Sequence, residues 1–145
     1  MITQFLTHVD DQRLHELAGE WVMPIQGEML QLPQVPDPVF ANGMMGEGFA
    51  INPTGGMVVS PVAGTVTLLL PTFNAIGVTA YNGAEILIHV GIDSAKLQGQ
   101  GFAPQVNVGD QVMAGTPLLA VDWAFVGAHV SSLICPIVFK QAGMV

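Results

Sequence analysis

Beyond residue 21 the apolar positions fall in short runs of aliphatic and β-branched residues, each closed by Gly, Pro or Asn. The runs are Val22–Ile25, Phe49–Asn52, Met57–Pro61, Thr65–Leu70, Ile76–Tyr81, Glu85–Val90, Gln111–Met113, Pro117–Val121 and Ser132–Phe139. Between them stand Pro53-Thr54-Gly55-Gly56, Ala63-Gly64, Asn82-Gly83 and Gly109-Asp110, residue types that accept turn geometry. No segment in this region keeps a helical period over three turns. The pattern predicts an all-β domain, an antiparallel sandwich or barrel of short strands.

Residues 1–20 have a different texture. Phe5, Leu6, Val9, Leu14 and Leu17 recur at roughly helical spacing among Asp10, Asp11, Arg13 and Glu16. That spacing predicts a short amphipathic helix, read as a tail packed on the body rather than a docking arm. The expected organisation is a helical extension over 1–20 and one domain over 21–145.

Composition narrows the functions. The 145 residues suit one domain, and half of them are apolar, enough for a core. The apolar runs stay far below the roughly 20 residues that cross a bilayer, and the N-terminus lacks the layout of a secretory signal. Cys135 stands alone, so no internal disulfide forms, in keeping with a reducing, cytoplasmic setting. Three Lys+Arg against eleven Asp+Glu leave a net charge of −8. So few cations do not match a row of phosphates, and anionic lipid would repel the surface, which argues against nucleic acid and membrane as partners. A basic protein would be steered towards it.

Residues 106–118 repeat the Val-x-x-Gly hairpin pattern of lipoyl- and biotinyl-type carriers. Such carriers need a lysine on a tight turn, and neither Lys96 nor Lys140 occupies one. The pattern is therefore architectural.

Four histidines are present. His8 and His15 lie in the polar N-terminal stretch, and His129 precedes a late strand, with no chemical neighbour. His89 differs. It ends the run Ile86-Leu87-Ile88, and alternation puts it on the face of Leu87, opposite Ile86 and Ile88. Gly91-Ile92-Asp93 then turns the chain near the sheet rim. Neutral imidazole is a nucleophile near pH 7, but spacing leaves nucleophile, metal ligand and structural group equally open. A lysostaphin-type zinc hydrolase would need a further His-x-His pair, which is absent, and Cys135 reads as core. There is no Walker-type phosphate loop.

The residues from Met23 to Phe139 resemble the glucose-type IIA phosphocarriers of the bacterial phosphoenolpyruvate-dependent sugar phosphotransferase system. The blocks that carry the resemblance are Pro24-x-x-Gly27-Glu28, Val35-Pro36-Asp37-x-Val39-Phe40, Gly46-Glu47-Gly48-x-Ala50-Ile51-x-Pro53-Thr54-Gly55, Pro61-Val62-x-Gly64-Thr65-Val66 and Glu85-Ile86-Leu87-Ile88-His89-Val90-Gly91-Ile92-Asp93. The resemblance implies a flattened antiparallel β-sandwich of duplicated hybrid-motif type. It also implies that His89 takes a phosphoryl group from the histidine-containing phosphocarrier protein and gives it to the IIB domain of a sugar permease, with no cofactor. Asp37 and Asp93 match the carboxylates that meet the donor. Val39, Phe40, Met44 and Met45 match the apolar rim. The Gly91 backbone is expected near the phosphoryl oxygens.

Three features depart from the family pattern. Asn74 occupies the place of a second histidine, which Thr72 would orient. Asn offers only neutral hydrogen bonds. The expectation is acceptance on His89 with slow or absent onward transfer, and the alternative is a degenerate IIA-like regulatory protein. The family's last strand and its basic N-terminal helix are also not reproduced, which raises the prospect of an exposed edge strand.

Overall fold

The computed structural model describes residues 21–140, which Gly, Pro and Asn turns divide into ten short strands. These are β1 (Gln26–Gln31), β2 (Glu47–Gly55), β3 (Val58–Val59), β4 (Gly64–Leu69), β5 (Ala75–Ala80), β6 (Glu85–His89), β7 (Phe102–Pro104), β8 (Gln111–Val112), β9 (Pro117–Val121) and β10 (Cys135–Lys140). Seven make one antiparallel sheet in the order β1-β2-β10-β6-β5-β4-β8, and three make a second, β3-β9-β7. Two short helices interrupt them, α1 (Pro38–Ala41) and α2 (Trp123–His129). The architecture is the antiparallel β-sandwich that the alternating runs imply.

The large sheet carries apolar residues on both faces. Ile86 and Ile88 of β6 join the main core with Phe49, Ile51, Ile76, Val78, Ile137 and Phe139. Leu87 points the other way, into a smaller cluster with Leu32, Val35, Ala50, Ile92 and Val138. Period-two alternation thus separates the two faces as expected, and the smaller cluster is the floor on which the site is built. At the crossing of β2 and β10 the strands approach closely. A Cβ on Gly48 would land on the Ile137 carbonyl oxygen, so only glycine fits there.

Several expectations are corrected. Val22–Ile25 is not a strand; pairing starts at Gln26, because Pro24 has no N–H to donate. The edge strand β1 is exposed over Gln26–Glu28 and only half-buried beyond, where Met29 packs on the main core and Leu30 on the smaller cluster, so it shows no run of apolar alternation. The three-residue β7 ends on proline and is too short to display a period. Residues 123–129 form α2, capped by the Asp122 carboxylate, which accepts from the Phe125 N–H at 3.1 Å, so His129 ends a helix. Its Nδ1 lies 2.7 Å from the Phe125 carbonyl oxygen and its ring stacks on Phe125. The late strand β10 is no exposed edge: it lies between β2 and β6. The helix expected over 1–20, with His8 and His15, lies outside the described residues.

Candidate functional site

His89 is the last residue of β6, with Ala75 of β5 as its cross-strand neighbour. A single helical turn reaches over it. Asp37 caps α1 by accepting from the Val39 N–H at 3.0 Å, and Pro38 supplies the φ of a first helical turn. The turn delivers Phe40 edge-on to the imidazole, with ring centroids 4.8 Å apart and planes at 66°. Such a pair contributes about 0.5–1.5 kcal/mol beyond its area burial. Phe40 and Met45 pack on the smaller apolar cluster, whereas Val39 and Met44 face outward. Met44, at 73% exposure, is the most exposed large apolar side chain among the described residues. The expected rim therefore divides into two anchored residues and two presented ones.

Burial of the ring is one-sided. Nδ1 is buried with no hydrogen-bond partner among the described residues, so Nε2 is the nitrogen through which the ring is reached. Loss of water around the ring pushes the His89 pKa from 6.5 down to about 4, against the pull of the Asp37 carboxylate, which raises it. At neutral pH the imidazole is uncharged and available as a nucleophile.

Past His89 the chain turns through left-handed residues, Gly91 at φ 79° and Asp93 at φ 66°. The Val90 N–H donates to the Asn74 carbonyl at 2.8 Å and the Ile92 N–H to the Ser132 carbonyl at 2.8 Å. The Val90 and Ile92 amides are thus engaged inside the protein. Burial pushes the nearby Cys135 thiol up to about 12, against the pull of the Gly91 backbone, which lowers it.

The two carboxylates have different surroundings. Asp37 lies close enough to His89 to act on its titration. Asp93 is exposed and turned to Lys96, whose Nζ lies 2.8 Å from Oδ2, and to the Ser131 hydroxyl, which donates at 3.2 Å. Those two partners, aided by the Lys96 charge, hold the Asp93 carboxyl below its ordinary range.

Asn74 is anchored at both ends of its amide. Thr72 Oγ1 donates to Oδ1 at 2.6 Å, and Nδ2 donates to Ser94 Oγ at 3.3 Å. Ser94, 1% exposed, in turn donates to the Val90 carbonyl at 2.6 Å. Sequence reasoning singles out Thr72 and Asn74 but misses Ser94 and Lys96. The available signals were a serine directly after the Gly-Ile-Asp turn and a lysine three residues past Asp93.

Among the described residues no three His, Cys, Asp or Glu side chains gather, and no helix is long and apolar enough to cross a membrane.

Comparison with known proteins agrees with this geometry. The family model described as phosphoenolpyruvate-dependent sugar phosphotransferase system, EIIA 1, matches residues 20–144. The PTS system glucose-specific EIIA component of Staphylococcus aureus (strain Mu50 / ATCC 700699) is 49% identical over 118 residues, 81% of this chain and 71% of that protein. The component of the same name from Staphylococcus epidermidis (strain ATCC 12228 / FDA PCI 1200) is 46% identical over 119 residues, 82% of this chain and 72% of that protein. The solved structure of the glucose permease IIA from Mycoplasma capricolum superposes with a TM-score of 0.81 at 38% identity, covering 85% of this chain and 80% of that one.

Proposed function

The chain belongs to the EIIA 1 family of the phosphoenolpyruvate-dependent sugar phosphotransferase system, and from that premise we propose that His89 accepts a phosphoryl group from the histidine-containing carrier protein and holds it for the IIB domain of a sugar permease. The observation that carries this reading is the state of His89: a neutral imidazole reachable through Nε2, with Asp37 beside it and Phe40 across its ring. In the transfer the Nε2 lone pair forms the new P–N bond while the donor's P–N bond breaks and its electron pair returns to the donor ring. One histidine replaces another, so the step is nearly thermoneutral, and catalysis reduces to in-line placement and charge stabilisation.

The described residues offer little positive charge for that purpose, since Lys96 is paired with Asp93. The donor's own cations supply it, steered by the net charge of −8. Val39 and Met44 are the apolar contacts for the partner, and the rim they cover when docked keeps water from the phosphohistidine.

Asn74 favours a second element of the reading, that onward transfer is slow. Its amide is uncharged and already engaged by Thr72 and Ser94. Charge-assisted hydrogen bonds are about twice as strong as neutral ones. The relatives' glucose-specific names make a glucose permease IIB the first acceptor to try.

Radiolabelled phosphoenolpyruvate with the two general transferases tests the reading. Acid-labile label that disappears in His89→Gln is the expected result. Label that persists in that variant, or a chain that takes none, overturns it. Rapid chase of the label onto an added IIB domain would refute the slow step alone.

A further inference from the structure

Three hydrogen bonds close a ring behind His89. The Val90 N–H donates to the Asn74 carbonyl, Ser94 Oγ donates to the Val90 carbonyl, and Asn74 Nδ2 donates to Ser94 Oγ, at 2.8, 2.6 and 3.3 Å. The direction of every bond is forced. The Val90 carbonyl only accepts, so the Ser94 hydroxyl must donate to it and has a lone pair left for Asn74. The group facing Ser94 is therefore the amide NH₂, which places Oδ1 on the Thr72 hydroxyl at 2.6 Å. Val90 follows His89 in the chain, so both of its peptide groups, one of them joined to His89 itself, belong to the ring.

Ser94 is out of contact with solvent, and its donor and one acceptor site are taken. It is not placed as a nucleophile. Asn74, for its part, keeps one N–H whose direction Ser94 and Thr72 determine. We propose that Ser94 is a positioning residue for phosphoryl acceptance: it locks the Asn74 carboxamide and, through Val90, the backbone that carries the His89 ring. The proposal rests on the reading of His89 as the phosphoacceptor. It adds a buried serine to the site and gives the uncharged Asn74 a positioning role here.

Acceptance rates measured against carrier-protein concentration test it. Removing the Ser94 hydroxyl leaves the buried Val90 carbonyl and the half-buried Asn74 amide short of a partner, so Ser94→Ala lowers the maximal rate about tenfold, with the KM for the carrier unchanged. Ser94→Thr, which keeps the hydroxyl, restores most of the rate. Adding Ser94→Ala to Asn74→Ala costs less than Ser94→Ala alone, because the bond between the two side chains is already gone and only the hold on the Val90 carbonyl remains to be lost. Independent effects of the two substitutions, or a change confined to KM, overturn the proposal.

A second measurement needs no phosphoryl group. The Asn74 side-chain amide resonances of the unphosphorylated protein shift in Ser94→Ala and in Thr72→Val. If Ser94→Ala leaves them in place, the ring does not exist and the proposal falls, however His89 behaves. If they shift while the parent protein takes no label, the reading of His89 is what fails, and the functional role assigned to Ser94 falls with it.

Discussion

Phe40 lies edge-on to His89, ring centroid to ring centroid 4.8 Å, although the two residues come from separate parts of the chain. The contact depends on a one-turn helix capped by Asp37, which is also the carboxylate acting on the imidazole. One short segment, Asp37–Phe40, therefore supplies both a nearby charge and an apolar cover to the imidazole.

Phe40→Ala should strip that cover. The phosphorylated form is expected to hydrolyse several-fold faster, since water reaches the P–N bond, while the global fold survives with a loss of about 1–2 kcal/mol for a partly buried aromatic. Decay of the label after removal of the phosphodonor measures the first effect, and urea unfolding the second. An unchanged label half-life would mean that Phe40 does not shield the ring.

Stability should follow the titration of His89. Its pKa is about 4 in the folded protein against 6.5 for the free side chain. Between these values the unfolded chain binds a proton that the folded one does not. The contribution is complete above pH 6.5 and is lost as pH falls to about 4. The loss is on the order of 3 kcal/mol. Denaturant midpoints across this range should fall less steeply for His89→Gln. Acceptance rates, for the same reason, should show no break near pH 6.5.

Asn74→His should speed onward transfer to a IIB domain. Removing a single transition-state donor costs on the order of 10²–10³ in rate in other enzymes, so up to that factor is available to regain. The imidazole cannot reproduce the amide's bonds to both Thr72 and Ser94, and acceptance on His89 should therefore gain less than donation. Chase kinetics with separated half-reactions would show the difference, and equal effects on both halves would contradict it.

Lys96→Gln should change docking rather than chemistry. Lys96 now neutralises Asp93 at the exposed rim. Releasing that carboxylate for a basic donor should tighten carrier binding a few-fold at low ionic strength, an effect of about 0.2–1 kcal/mol that salt screens away. Binding titrations at two salt concentrations would check both the sign and the screening. Weaker binding would mean that the lysine itself contacts the donor.

The central strands were legible because their local pattern is strong. The runs Thr65–Leu70, Ile76–Tyr81, Glu85–Val90 and Pro117–Val121 lie within a residue or so of β4, β5, β6 and β9. The edge strand β1 and the helix α2 were not: β1 has only the adjacent Met29 and Leu30 as large apolar residues, among Gln26, Glu28 and Gln31, and α2 spans only seven residues.

His89, its face of the sheet, its turn and the family block Glu85–Asp93 lie in contiguous sequence, so local alternation and the resemblance suffice to single it out. What the tertiary structure decided are relations between distant residues. Asn74 meets Ser94, Ser131 donates to Asp93, and Phe40 lies against the His89 ring. Each depends on the register of antiparallel pairing and on which side of a turn a side chain emerges. A hydrogen bond requires about 3 Å and near-linear geometry. A residue period supplies neither, and only the folded chain does.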